Sequence, residues 1–369
     1  MLTRDLLTAS NVILDSLSDG VYVCDKDRRI VFWNRAAARI TGWEPAEVIG
    51  RQCVDDVLAH VDKDGRRLCG EEFCPLHRAM VTATQSTVGL IVYARGKDGN
   101  RIPMQVTVAP IRDRAGGVIG GVESFRDVSA MLTDLDRAKR IQSLSLETDL
   151  PQDPRVTLST HYVPYDIVGG DFYAIRQLDG DHYGFLLADV MGHGVAAALH
   201  TMHLSSLWER HCRLLREPAE FARTVNDELT SIVKDESFAT ALCGVIDAEH
   251  RTLRCASAGG PPGLAMRASG AVEELEGSGL PFGMMQEADY EESVAQFGKD
   301  DCLLFFSDGA VEVHNAGGKL LGTDGLLHIL KEVGYPSCGF QVGAVEERLL
   351  LYSNSIRLAD DLTFIEVRF

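Results

Sequence analysis

Basic residues are in short supply. The chain has 369 residues, and 36 Lys and Arg stand against 54 Asp and Glu, a formal net charge of −18. A surface so acidic repels a phosphate backbone, so nucleic acid is not an expected partner. Long apolar runs are missing too: no stretch approaches the roughly 20 apolar residues that a membrane-crossing helix needs. The opening MLTRDLLTASNVILDSL breaks its apolar run with acids and offers no small-residue cleavage site, so it does not read as a secretory signal. A cytoplasmic protein without a membrane partner is expected. No fixed-period repeat or low-complexity tract appears. There is also no glycine-rich loop opening a helix onto phosphates, which disfavours a nucleotide-dependent kinase. Cysteine is present in an odd number, nine, and in a reducing compartment that argues for thiols rather than a disulfide framework.

What is there fits two domains rather than one core. Hydrophobic residues make up 45% and charged residues 24%, the balance of a globular chain. Lys and Arg cancel Asp and Glu over 1–130, so the whole excess of negative charge falls in 131–369. Acids in that half either keep the surface soluble or converge on cations.

In the first half, strands over Val21 to Cys24 and Ile30 to Trp33 flank the turn Asp25-Lys26-Asp27. Asn34 then caps an alanine-rich helix that stops at Gly42. Three further strands follow, with turns at Lys97-Asp98-Gly99-Asn100 and Arg114-Ala115-Gly116-Gly117. Ser18-Asp19-Gly20-Val21, Trp33-Asn34 with Ala36-Ala37, Thr41-Gly42-Trp43, and Gly120-Gly121-Val122 through Asp127-Val128-Ser129 come in an order that resembles the PAS family. That resemblance implies a sensor or dimerisation module over 1–127, of α/β build. Within it, 53–77 holds three cysteines and two histidines. Cys53, His60, Cys69 and Cys74 are ligand types that suit zinc or a redox iron centre. A loop of reduced thiols is the plainer reading of the same residues.

A helical linker is expected over 128–150. Val128, Leu132, Leu135, Ala138, Ile141 and Leu144 recur at steps of three and four, one apolar stripe. The stripe suits either a parallel homodimer or packing on a neighbouring domain. Beyond Pro151, strands alternate with helical patterns over 194–216, 218–234 and 324–352.

In 151–369, Asp171, Asp189, Asp308 and Asp360 each stand at a strand end beside glycine or another small residue. A carboxylate at the end of an apolar strand is costly to bury unless something neutralises it. Several carboxylates with backbone carbonyls make the hard oxygen site that Mg²⁺ or Mn²⁺ prefers. Two such ions can activate water and clamp a phosphoryl group. Turn chemistry explains any one Asp-Gly; it does not explain four in this order.

These residues lie in Val168-Gly169-Gly170-Asp171-Phe172-Tyr173, Asp189-Val190-Met191-Gly192-His193-Gly194, Ala258-Gly259-Gly260-Pro261-Pro262, Gly279-Leu280-Pro281-Phe282-Gly283, Ser307-Asp308-Gly309 and Asp360-Asp361-Leu362-Thr363. Together they resemble the protein phosphatase 2C type of metal-dependent phosphatase, in the bacterial branch of the stage II sporulation protein E phosphatase. The resemblance implies an α+β chain whose C-terminal domain is an αββα sandwich of two mostly antiparallel sheets flanked by helices. It implies a protein-serine/threonine phosphatase using two Mn²⁺ or Mg²⁺ ions. Asp171 and Asp189 would be catalytic. Asp189 would bridge the ions, the Val190 carbonyl would help bind one, Asp171 would bind metal directly or through water, and Asp308 and Asp360 would hold the second ion. The substrate in this branch is a phosphorylated anti-sigma-factor antagonist. A catalytically dead scaffold on the same fold is the alternative, which retention of all four aspartates disfavours. Two departures stand out: Ala174 occupies a position where the branch often has an aspartate, and no arginine is placed to hold the substrate phosphate. His193, between two glycines, reads as a loop histidine rather than a ligand.

Overall fold

The computed structural model describes residues 12–369 apart from 54–56, 64, 71–72, 86–88, 147–149, 193, 233–236, 276 and 356. It divides into two compact units, the first ending at Asp134 and the second running from Leu135 to Phe369.

The first unit is a five-stranded antiparallel sheet with short helices. β1 (Gly20–Asp25) and β2 (Ile30–Trp33) form the hairpin, followed by α1 (Arg35–Thr41), α2 (Pro45–Val48) and α3 (Pro75–Thr82). β3 (Leu90–Arg95), β4 (Arg101–Arg112) and β5 (Val118–Asp127) complete a sheet of order β2-β1-β5-β4-β3. Asn34 starts α1 as the spacing predicts: its Oδ1 accepts the N–H groups of Ala37 (2.8 Å) and Val21 (2.9 Å). It thereby satisfies one of the helix's unpaired donors and ties the helix to β1. Gly42, at φ 75°, ends the helix in the left-handed region, which costs glycine least. Tyr22, Trp33 and Phe125 pack tilted against one another in this unit's core.

α4 (Ser129–Leu146) begins in the first unit and ends in the second. The apolar stripe only partly describes its buried face. Ile141 and Leu144 are exposed, whereas Gln142 and Leu146 are buried. A polar residue takes the inward position because it finds hydrogen-bond partners there, which periodicity of apolar residues cannot reveal.

The second unit is a four-layer sandwich. β7 (Asp171–Gln177), β8 (His182–Val190), β9 (Ala239–Asp247), β10 (Thr252–Ala258) and β13 (Glu292–Gln296) form one sheet, ordered β13-β10-β9-β8-β7. β6 (Thr157–Val163), β11 (Gly263–Met266), β12 (Val272–Leu275), β14 (Cys302–Phe306) and β15 (Leu362–Arg368) form the other, ordered β12-β11-β14-β15-β6. Side chains alternate faces along a strand. On β8, Phe185 and Leu187 enter the core between the sheets with Leu303, Phe305 and Ile365. Leu186, Ala188 and Val190 face the other way, onto α5 (Val195–His211) and α6 (Pro218–Ile232). The second sheet's outer face packs on α7 (Gly322–Glu332) and α8 (Val342–Ser353). The single helical pattern over 324–352 is thus two helices, broken where Gly334, Pro336 and Gly339 fall. The apolar run over 302–313 is strand only to Phe306, where Asp308–Ala310 turns as a short 3₁₀ segment. No helix among the described residues is long and apolar enough to cross a membrane.

Candidate functional site

Asp171 opens β7 and Asp189 is the last residue but one of β8, and the antiparallel ladder sets them directly opposite one another. Asp308 follows β14 and Asp360 precedes β15. Because β14 and β15 are neighbours, both come to the same end of the second sheet. The two sheets meet there: the Thr363 hydroxyl of β15 donates to Asp171 Oδ2 of β7. The sandwich therefore brings the four sequence-predicted carboxylates to one edge.

Glycines make the approach possible. A Cβ on Gly309 would stand 2.0 Å from the Asp361 carbonyl oxygen, so only glycine lets the Asp308 turn lie against the Asp360-Asp361 backbone. Gly170 lies under the carbonyl oxygens of Val190 and Gly192, 3.0 and 3.1 Å from where its Cβ would be. Val190 itself is buried, and its N–H donates to the Gly170 carbonyl at 3.0 Å.

The electrostatics are those of crowded acids. Asp171 is held well above the ordinary carboxylate range, first by burial and then by the Asp361 carboxylate, against the pull of the Thr363 and Ser307 hydroxyls. Asp189 is pushed up to about 10 by burial, then by the charges of Asp171, Asp308 and Asp360. No ion pair among the described residues involves Asp171, Asp189 or Asp308, and Asp171 Oδ1 is buried with no hydrogen-bond partner. Acids this close keep their charge only if a cation offsets it. An all-oxygen donor set with an orphaned buried carboxylate atom fits Mg²⁺ or Mn²⁺. Among the described residues no three His, Cys, Asp or Glu side chains stand together at cation-ligand distances, so the carboxylates are gathered but not closed.

Four supporting residues escaped the sequence reading. Asp361 is buried, and its carboxylate accepts the backbone N–H of Tyr165 (2.6 Å), Gly170 and Asp171 (3.2 Å), fixing the turn that aims Asp171. Ser307 Oγ accepts the Thr363 N–H at 3.0 Å and donates to the Asp361 carbonyl at 3.3 Å. Thr363 holds Asp171 itself. Gln142 of α4 donates to the Gly169 carbonyl at 2.7 Å and to Thr201 Oγ1 at 2.9 Å, and accepts the Gly169 N–H at 3.2 Å. Asp361 and Thr363 stood inside a quoted motif; nothing in the local pattern marked Gln142. Ala174 is buried on the helix-facing side of β7. His193 lies outside the described residues.

The Cys/His group of the first unit is also gathered. Cys53, His60 and Cys74 are buried, Cys69 half-buried, and the backbone N–H of His60 donates to Cys69 Sγ at 3.1 Å. The structure adds a residue that spacing could not supply, Glu123 of β5, whose Oε1 is 3.6 Å from His60 Nε2. Burial pushes Glu123 up to about 8 and His60 down to about 4. Both are therefore neutral near pH 7, and the contact is not an ion pair.

Comparison with known proteins places both units. A family model described as stage II sporulation protein E matches residues 179–369, and one described as a PAS fold matches 14–132. The phosphoserine phosphatase RsbP of Bacillus subtilis is 29% identical over 183 residues, 48% of this chain and 45% of its own length. The phosphoserine phosphatase RsbU of the same organism is 26% identical over 237 residues, 64% of this chain and 70% of its own. The chain thus spans less than half the length of RsbP. Among solved structures, the SiaA-PP2C domain of Pseudomonas aeruginosa superposes with a TM-score of 0.55 at 23% identity, covering 66% of this chain and 99% of that one. A fragment of SpoIIE from Bacillus subtilis holding its PP2C phosphatase domain gives 0.51 at 20% identity, covering 72% and 70%. At these identities the likeness is one of fold.

Proposed function

The chain belongs to the stage II sporulation protein E family, and on that footing we propose that it is a metal-dependent phosphatase of phosphoserine or phosphothreonine proteins, with its first unit a PAS sensor over 1–127 joined by a helical linker over 128–150. The observation that carries this is the meeting of Asp171 and Asp189 across β7 and β8, with Asp308 and Asp360 at the same edge and, among the described residues, no positive side chain paired with Asp171, Asp189 or Asp308. A scaffold would have no reason to keep such mutually repelling acids.

Asp189 would bridge two Mn²⁺ or Mg²⁺ ions, Asp171 and the Val190 carbonyl would hold one, and Asp308 and Asp360 the other. When bound, such ions supply an activated water nucleophile and neutralise the phosphoryl oxygens. The chain's own contribution is placement. Asp361 clamps the Gly170-Asp171 backbone, Thr363 orients Asp171, Ser307 ties Thr363 to the Asp361 backbone, and Gln142 fixes Gly169. Side chains held in place by such hydrogen bonds have less to reorganise when charge develops on the phosphoryl group. Near the site, Gly260, Pro261, Thr240 and Ser307 line a narrow cleft beside Asp189.

The substrate we propose is a phosphorylated anti-sigma-factor antagonist. The names of RsbP and RsbU as phosphoserine phosphatases support the reaction class. The exposed apolar side chains of Met131, Ile141 and Leu144 on α4 support pairing with a second copy. Phosphate release from a phosphoserine protein is the test. It should require Mn²⁺ or Mg²⁺, stop with chelator, and fall by about three orders of magnitude in Asp189→Asn, a loss of about 4 kcal/mol of transition-state stabilisation. Full activity in a folded Asp189→Asn protein would sink the reading.

A further inference from the structure

Outside the carboxylate centre, a second group of chemistry-bearing side chains lies in the core of the first unit. Glu123 stands mid-strand on β5, 0% exposed, and His60 is 4% exposed. Their Oε1 and Nε2 face each other at 3.6 Å, beyond hydrogen-bond length, and neither atom has another partner. A buried polar group without a partner is costly, and such exceptions in a native core call for something that fills the gap. The gap has a telling size. Two N or O donors held about 2.1 Å from one tetrahedral ion lie about 3.4 Å apart.

The nearby sulfurs are supported as ligands would be. Leu68 N–H donates to the His60 carbonyl at 2.8 Å, and Val61 bridges Arg67, so the chain doubles back to set Cys69 beside His60. Cys69 Sγ receives the His60 N–H at 3.1 Å. Cys74 is the buried residue before α3, and its sulfur makes no capping hydrogen bond to that helix. Burial pushes both thiols up, so each keeps its proton until a cation replaces it, and the backbone donor at Cys69 is the kind of outer support that metal–thiolate sites use.

We propose that His60, Glu123, Cys69 and Cys74 form a second metal site, in the core of the first unit, that takes a zinc-class divalent cation. Among the described residues no three of these donors stand at ligand distance together, so binding draws Cys69 and Cys74 inward onto β5. Glu123 and the two thiols, protonated near pH 7 in the metal-free core, each release one proton to solvent as they become ligands, while His60 binds as the neutral imidazole it already is. The cation would thereby couple metal supply to the shape of the sensor, independently of the carboxylate centre.

The test uses the full chain, reduced, stripped with chelator, and titrated with Co²⁺ as a spectroscopic stand-in for Zn²⁺. About one Co²⁺ per chain should give tetrahedral bands with thiolate charge transfer, displaced by Zn²⁺. The band should vanish in the Cys69→Ser, Cys74→Ser double variant and survive in Asp189→Asn, which separates this outcome from failure of the phosphatase reading. Glu123→Gln should keep the band and weaken Co²⁺ binding at least tenfold. Should the double variant fail to fold, protection of wild-type thiols from a maleimide by Zn²⁺ gives the same reading without substitution. No charge-transfer band in folded wild type, the same band in the double variant, no thiol protection, or an iron–sulfur chromophore in the purified protein overturns the proposal.

Discussion

Replacing Gln142 with alanine isolates how much the catalytic edge owes to a residue that is no candidate ligand. The wild-type amide closes two hydrogen bonds with Gly169 and one with Thr201, all buried. Thr201 keeps a partner after truncation, since its hydroxyl also donates to the Ala198 carbonyl at 2.8 Å. Gly169 does not: its N–H and C=O both lose the side chain that satisfied them. At about 1–3 kcal/mol per unsatisfied buried group, the turn is destabilised by about 2–6 kcal/mol if it stays in place. The turn can relieve that cost by moving, and Asp171 lies two residues on. We expect Gln142→Ala to raise the Mn²⁺ concentration for half-maximal activity at least tenfold, equivalent to about 1.4 kcal/mol of the cost appearing in cation affinity. Saturating Mn²⁺ should restore most of the rate, because no proposed ligand is lost. The assay is phosphate release against Mn²⁺ concentration, with thermal unfolding in parallel. A variant that unfolds earlier yet shows the wild-type Mn²⁺ curve would refute the reasoning and leave Gln142 as a packing contact of α4 alone.

Gly309→Ala should destabilise the protein by about 3 kcal/mol or more, because its Cβ meets the Asp361 carbonyl oxygen at 2.0 Å and backbone must shift; an unchanged midpoint in urea would refute the clash. In Asp153→Asn the acid limb of stability should flatten. The Arg155 guanidinium and the Tyr183 hydroxyl hold the Asp153 carboxyl well below its usual range. Its contribution is therefore present above the unfolded pKa near 4 and is lost as pH falls through the lower folded value, which unfolding between about pH 5 and pH 2 would show. Polar substitution of Ile141 and Leu144, both exposed on α4, should lower self-association in sedimentation without changing cation dependence; an unchanged sedimentation coefficient would refute pairing through this face.

Much of the candidate site was legible because its chemistry is local. An acid beside a glycine or another small residue at the end of an apolar strand is a one-dimensional pattern, and Asp171, Asp189, Asp308 and Asp360 are each that pattern. Strand alternation and the capping Asn34 were legible for the same reason, since a strand's two faces and a helix's first unpaired donors are set by near neighbours in the chain. Short strands such as β11 and β12 carried too few residues to show a period. What joins the pieces is not local. Asp361 matters because it reaches N–H groups of Tyr165 and Gly170 far away in the chain, and Gln142 because an inward polar residue met a glycine turn. Glu123 stands in the first unit's core opposite His60 because Val61 pairs with Tyr93 of β3, and β3, β4 and β5 are joined in one sheet. The sequence by itself determined which residues had to find a partner or a cation. The tertiary structure alone decided which ones share it, because burial and pairing across sheets depend on packing that no spacing along the chain encodes.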